Sequence, residues 1–429
     1  MKQKWMYAYV AASALMIMAL LAGCASGATW QADPVAVKEY GQTQKAGDAA
    51  TWSEFAAKTT AAVLNGTADA ATENTCFSPA SLYFALSLAA VGADGEAQQQ
   101  VLDVLGAQDA DELAAFNQYW MAALGGMIDE GDAKDDDAGA EVAIANSVWV
   151  KDGYEFTDEY LSVVEDTMGA AAFAAPFGTK DADESIAKWI SDKTRGLIAP
   201  TLQTDKRNRA LLIDSIYFKD SWKEQFLKEL TDDRTFHGVN GDAQVPFMCS
   251  DDLSIENGEV GGAQVCRLEL KDGYTMSFFL PKEGANPSEL MGDPSMLSAL
   301  LDADLARSSV KVYLPKFTID SSFEDLIPAL ETLGVTYVFD DLMPGMFPNM
   351  VRPANEAEYI DLYISDIVQE THIAIDEKGV EAAAYTAVTI SNLTALADPP
   401  KQIVFDRPFG YAVQSPDGVA LFVGTVNSL

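Results

Sequence analysis

The chain has 429 residues, 48% of them hydrophobic and 22% charged, which excludes a disordered polypeptide and suffices for one large domain or two ordinary ones. Its 28 basic and 65 acidic residues give a formal charge of −37 at pH 7, so its surface as a whole repels nucleic acid and anionic lipid headgroups. Two histidines leave few candidates for a hydrolytic triad or an imidazole-rich zinc site.

At the N-terminus Lys2 and Lys4 precede an apolar run over 6–20, and Leu21-Ala22-Gly23-Cys24 closes it with small residues before a cysteine. The run is short for a membrane span of about 20 residues, and the closing cysteine sets it apart from a plain secretory signal. It resembles a bacterial lipobox, which implies that residues 1–23 are removed and that Cys24 carries diacylglycerol. The expected location is outside the cell or in the periplasm, held to the membrane by lipid. Acyl chains contribute about 0.8 kcal/mol per buried CH₂, and dual acylation suffices for stable anchoring. Residues 24–50 lack strong periodicity and read as a tether.

From Thr51 onward helical and strand patterns alternate without an internal repeat, which points to an α+β architecture. Trp52, Phe55 and Val63 begin a helical stripe. Ser78-Pro79 opens a second helix, with Ser78 as N-cap, Pro79 in the first turn, and Leu82, Ala85, Leu86, Ala89 and Ala90 as its stripe. Strands are expected over 142–150, 211–218, 275–280, 310–314 and 421–426. The acidic stretch 129–137 lacks the ligand spacing and central glycine of an EF-hand loop and reads as a solvated loop. There is no HExxH, G-x-S-x-G, P-loop or CxxC pattern, so neither an enzyme nor a cofactor or metal site is expected. Cys76, Cys249 and Cys266 allow at most one internal bridge; burial as small hydrophobes is favoured over a Cys249–Cys266 pair.

Near the C-terminus small residues crowd 377–390, and Gly379 lets the chain hinge. At period two, Val380, Ala382, Ala384 and Thr386 share one face, while Glu381, Ala383, Tyr385 and Ala387 share the other. Such a segment can live first as an exposed loop and later as a strand with one face buried.

Several motifs, taken together in order, identify a family. Asn74-Thr75-Cys76-Phe77-Ser78-Pro79 followed by Leu88-Ala89-Ala90-Val91-Gly92-Ala93 resembles the serpin pattern, as do Ala145-Asn146-Ser147-Val148-Trp149 and the stretch 189–194. Ile216-Tyr217-Phe218-Lys219 with Trp222, Phe236-His237, Val245-Pro246-Phe247-Met248 and Leu314-Pro315-Lys316-Phe317 continue it. The stretch 376–386 and Phe405-Asp406-Arg407-Pro408-Phe409 complete it. The resemblance covers residues 51–429 and implies the serpin fold: three β-sheets, eight or nine helices and an exposed reactive-centre loop over about 377–404.

It also implies roles. The hinge falls on Glu377, Gly379, Val380, Ala382, Ala383 and Ala384. The breach at the top of the main sheet falls on Lys316 and Trp222, with Glu377 pairing Lys316. The shutter at its centre falls on Ser78, Ser81, Asp214 and Gln369, where an Asp214–Gln369 hydrogen bond would replace the usual asparagine and histidine. Cys76, Asp220 and Gly410 depart from a usual aromatic, glycine and apolar residue, and Val380 from a usual threonine or serine. Counting by the family's spacing from Gly379 places the reactive bond at Leu393-Thr394; counting back from Phe405 favours Leu396-Ala397, because this loop is long. The function implied is a monomeric suicide-substrate inhibitor of a serine peptidase. Leucine at the reactive bond suits a chymotrypsin-, elastase- or subtilisin-like target. The alternative is a non-inhibitory serpin that serves as a cell-surface binding or structural lipoprotein.

Overall fold

The computed structural model describes residues 29–32, 49–124, 140–194, 196, 200, 202–250, 253–342, 346–353, 362–380 and 401–429. Of the residues singled out above, Cys24, Ala382, Ala383, Ala384, Leu393, Thr394, Leu396 and Ala397 lie outside them.

The first element among the described residues is β1 (Thr29–Ala32), a strand inside the stretch read as a tether. Helix α1 (Ala49–Gly66) buries Trp52, Phe55 and Val63 as its periodicity predicts. Then β2 (Thr75–Phe77) runs directly into α2 (Pro79–Gly92). Ser78 caps α2 with an extended backbone, φ −110° and ψ 100°, and its hydroxyl accepts from Ser81 N at 3.1 Å. Pro79 takes the first helical position, where an N–H would have no intrahelical partner. Helix α2 is apolar nearly all round, and every residue except Val91 is buried, as expected of a helix enclosed on all sides.

Helices α3 (Gly95–Leu105) and α4 (Ala110–Ala123) lead to β3 (Glu141–Lys151), β4 (Tyr154–Phe156) and α5 (Asp158–Met168). After them come β5 (Ala171–Ala175), α6 (Lys180–Lys193) and β6 (Ala210–Ser221). An antiparallel run follows: β7 (Asp232–Gly238), β8 (Gly241–Cys249), β9 (Leu253–Val260), β10 (Ala263–Glu269) and β11 (Thr275–Leu280). Short α7 (Pro287–Met291) and α8 (Pro294–Leu301) separate these from β12 (Arg307–Pro315) and β13 (Phe317–Phe323). The last part is α9 (Ile327–Thr332), β14 (Val351–Pro353), β15 (Ile364–Ile375), β16 (Gly379–Val380), β17 (Lys401–Val404), β18 (Phe409–Gln414) and β19 (Ala420–Val426).

These strands form three sheets. The main sheet has seven strands in the order β1-β5-β3-β6-β16-β15-β13. A ten-stranded sheet runs β2-β19-β18-β11-β10-β9-β12-β8-β7 with β17 beside β12, and β14 pairs with β4. Helix α2 lies under the main sheet against β3 and β6, with β19 on its other side. Three sheets and helices of this number match the α+β fold expected.

One feature of the main sheet positions everything that follows. From Ala210↔Ile364 to Ile216↔Thr371, β6 and β15 are parallel partners. Above that level they part, and the two residues of β16 lie antiparallel to both, at Gly379↔Ser221, Val380↔Asp220 and Ile375↔Val380. The sheet is therefore closed at its base and opened by a strand begun at its top.

Candidate functional site

The top of the seam is built from the end of β15. Asp376 ends the strand and turns the chain: its Oδ1 accepts from Lys378 N at 2.8 Å and Gly379 N at 3.3 Å, the local pairing for which short acidic side chains favour turns. Three carbonyls of this turn are then held from outside. Trp222 N donates to Lys378 O at 2.7 Å, Trp222 Nε1 to Asp376 O at 2.8 Å, and Phe226 N to Glu377 O at 2.9 Å. The indole, 1% exposed, packs edge-on against Phe226 with ring centres 6.1 Å apart. Trp222 thus clamps the backbone of the turn at Asp376 and Lys378.

Glu377, next along the turn, is buried. Lys316 Nζ lies 2.9 Å from its Oε2, and Thr231 Oγ1 donates to its Oε1 at 2.9 Å. Burial pushes its pKa up, but the bonds from Lys316, from its own backbone N–H and from Thr231 together outweigh that and hold it below the ordinary value. The Glu377–Lys316 pair expected from the motifs is in place. Thr231 had no sequence signal.

Gly379 follows, and its smallness has a steric cause. A Cβ there would lie 2.2 Å from Asp220 O and 2.7 Å from Ser221 Cα, so β16 can approach β6 only as glycine. Val380 is buried beside it. Its neighbour Asp220, where the family usually has glycine, has a pKa raised to about 6: burial raises it, and N–H bonds from Asp272 and Ser221 restrain the rise.

At the centre of the closed part, Asp214 and Gln369 are register partners across the seam. The cap of α2 meets them from below. Ser81 Oγ donates to Asp214 Oδ1 at 2.7 Å. Ser78 N donates to Gln369 Oε1 at 2.8 Å, and Gln369 Nε2 donates back to Ser78 O at 2.9 Å. The four shutter residues are fully buried and in contact, as the motifs imply. Gln369 serves mainly the backbone of Ser78, a pairing the sequence did not foretell, while its amide also helps to stabilise the Asp214 carboxylate. Burial nevertheless dominates and raises Asp214 to about 7, and its Oδ2 has no hydrogen-bond partner. Thr371 Oγ1 donates to Cys76 O at 2.6 Å and Ser321 Oγ accepts from Cys76 N at 2.8 Å, tying the β2–α2 junction to β15 and β13.

Other candidate chemistry falls elsewhere. His237 Nδ1 lies 2.9 Å from Asp242 and His372 Nδ1 lies 2.6 Å from Asp320, so each ring is paired with a carboxylate. Cys76, Cys249 and Cys266 are all free and buried, which settles the choice against a Cys249–Cys266 bridge. A cleft of about 510 Å³ is lined by His237, Glu283, Asn286, Asp406 and Arg407 among others, none of which belongs to the seam.

The seam of the main sheet is thus parted at its top by β16, clamped there by Trp222 and Phe226, and met at its centre by the cap of α2. The family model described as Serpin (serine protease inhibitor) matches residues 51–429. The chain belongs to the serpin family. Serpin-ZX of Arabidopsis thaliana is 30% identical over 369 residues, covering 82% of this chain and 91% of the plant protein. The native state of the thermophilic serpin tengpin superposes with a TM-score of 0.78 at 25% identity, over 94% of this chain and 100% of tengpin. Serpin48 of the insect Tenebrio molitor gives a TM-score of 0.77 at 25% identity, over 91% of this chain and 100% of its own. Membership supports, in general terms, a protease-inhibitor role of the kind most serpins have. In this serpin Asp376, Phe226 and Thr231 also contact the turn at residues 376–379, and sequence reasoning missed all three. An Asx turn before the glycine was the available signal for Asp376; the other two lie far from the loop in sequence.

Proposed function

We propose that the protein is a suicide-substrate inhibitor of a serine peptidase with apolar specificity, exported and held to the membrane by diacylglycerol on Cys24. The supporting observation is the two-residue β16, lodged between β6 and β15 at the top while those strands are paired below. A strand already started has a path to continue.

The peptidase serine attacks the carbonyl carbon of Leu393. The Leu393–Thr394 bond breaks, the amine of Thr394 leaves with a proton from the peptidase's histidine, and an ester joins Leu393 to the enzyme. The severed segment then extends β16 down the seam before water can cleave the ester. Held to the register Gly379↔Ser221 and Val380↔Asp220, position 390 would face Ala210 at the foot of β6. Leu393 would emerge just past the base, with the peptidase carried the full length of the sheet. That favours Leu393 over Leu396, which would add slack. Cross-strand pairs contribute roughly 0.2–1 kcal/mol each. A dozen residues gaining partners on two sides thus release on the order of ten kcal/mol.

Incubation with a panel of serine peptidases tests this. Expected are a complex stable in SDS with a chymotrypsin-, elastase- or subtilisin-like enzyme and a released fragment beginning at Thr394. A fragment beginning at Ala397 moves the bond to Leu396. Cleavage without a covalent complex favours a non-inhibitory surface protein, and inhibition confined to trypsin-like enzymes overturns the specificity.

A further inference from the structure

We infer that Asp214 sits in the closed shutter as a neutral carboxylic acid whose Oδ2–H donates to Asn146 Oδ1, which makes Asn146 a positioning residue of the seam. The bond itself stands apart from the reading of the protein as an inhibitor, whereas its bearing on loop insertion rests on that reading.

Two orphaned atoms carry the argument. Asn146 on β3 and Asp214 on β6 are register partners, on the side of β6 away from the seam. Residues directly opposite in an antiparallel pair hold their Cβ atoms about 4.5–5.5 Å apart on one face. Here that face is the one toward α2. Val148, Leu212 and Ile216, each two residues along from one of the pair, share a core cluster with Leu82 and Leu86 of α2, whereas Trp149, Leu211 and Ile213 pack with Ile186 and Ile190 of α6. Asn146 is 2% exposed and Asp214 0%. Neither Asn146 Oδ1 nor Asp214 Oδ2 has a hydrogen-bond partner. Two buried acceptors on opposed residues, each costly to leave unmet, thus lack one donor between them. A proton on Asp214 supplies it. Oδ1 accepts from Ser81 Oγ at 2.7 Å, the role of a carbonyl oxygen, which leaves Oδ2 to carry the hydrogen.

No cation nearby takes the place of that proton. Helix α2 holds no charged residue, β3 none between Glu141 and Lys151, and β6 carries Lys219 and Asp220 only at its top. On β15, Glu370 pushes the pKa of Asp214 further up and accepts from Ser322, Asp366 accepts from Asn208, and His372 pairs with Asp320 of β13. Burial supplies the main push, to about 7. Parting β6 from β15 lets water reach the acid, whose ordinary value is 3.8. The proton therefore favours the closed seam; opening becomes easier as pH rises from about 4 to about 7 and levels off above that.

Infrared difference spectra of the full-length protein between pH 5 and pH 9 test the bond. A carboxylic C=O band should fade with a midpoint near 7, be absent from Asp214→Asn, and move in frequency in Asn146→Ala, which a purely steric role for Asn146 would not produce. Asn146→Ser keeps a smaller oxygen acceptor; it should give an intermediate frequency, and it stands in if the alanine variant does not fold. The rate at which native monomer is lost at one mild temperature, followed on native gels, tests the seam. The parent should be faster at pH 8 than at pH 5 by at least about threefold. Asp214→Asn, whose amide can donate to Asn146 Oδ1 at any pH, should stay at or below the parent's pH 5 rate throughout, and Asn146→Ala should be fast already at pH 5. A band that persists in Asp214→Asn, or one that Asn146→Ala leaves unmoved, overturns the bond. Equal parent rates at the two pH values, with the band as expected, overturn its control of the seam. Failure to trap any serine peptidase overturns the inhibitor reading and touches neither result.

Discussion

Two buried carboxylates show how single residues set the state of the seam, and they do so with opposite signs. Glu377 has a folded pKa held below its unfolded value, so its contribution to the closed breach is present above the unfolded pKa and is lost as pH falls through the folded one. Replacing it by lysine sets a second cation against Lys316 where an ion pair stood. Glu377→Lys should release the hinge, and mild heating followed by native gel electrophoresis should show polymer or a latent monomer within a range where the parent stays monomeric. Asp214 behaves in the reverse way. Its folded pKa of about 7 lies above the ordinary 3.8, so the folded state keeps a proton that the unfolded chain gives up from about pH 4 upward. The stability this group contributes is greatest in acid, declines as pH rises, and is gone above 7. The span corresponds to a few kcal/mol at most, by roughly 1.4 kcal/mol per pH unit. Asp214→Asn keeps the size and removes the charge, so its urea midpoint should exceed that of the parent most at pH 8, by less at pH 5, and match it only below about pH 4. Equal midpoints at pH 8 would mean that another group governs the shutter.

The element on which the proposed inhibition would turn is β16, whose two residues lie between β6 and β15 at the top of the seam. Its entry depends on Gly379 lying against the backbone of Asp220 and Ser221. Gly379→Ala puts a methyl group 2.2 Å from a carbonyl oxygen, an overpacking that costs about 1–3 kcal/mol in the inserted state. The variant should yield less covalent complex and more cleaved, active peptidase, measured as the moles of protein needed per mole of enzyme. Ala382→Arg should do the same, because Ala382 shares a face with buried Val380 and a strand continuing in that register would have to bury the charge. An unchanged ratio would show that the face was assigned wrongly. Sequence reasoning located this element by its small residues and alternation. It ascribed Gly379 to conformational freedom, whereas the cause is the closeness of β6, which no local pattern records.

At the scale of the whole molecule, the seven-stranded sheet holds seven register pairs between β6 and β15 that must be broken before a strand can lie between them. On the proposed mechanism the native fold is a trapped state, which cutting the loop would relieve. Nicking the loop with a peptidase that is not trapped should raise the midpoint of thermal unfolding by tens of degrees, since a gain on the order of ten kcal/mol is comparable with the whole stability of a domain. Calorimetry of intact and nicked protein would decide it, and equal midpoints would mean that the strand is not inserted.

The family and its three-sheet α+β fold were legible in the sequence because they rest on local patterns taken in order. A helix cap at Ser78-Pro79, a buried apolar helix and an alternating run of small residues are set by neighbours a few positions apart. The other half of the account needed tertiary structure, since it depends on residues far apart in the chain. Lys316 and Glu377 are separated by 61 positions, and Ser78 meets Gln369 across 291. The proton on Asp214 follows from its burial between α2 and the seam, and four residues of β1 are too few to show a period. Pattern thus specified which elements form, while burial and long-range closure decided which charges they hold and why Gly379 must be glycine.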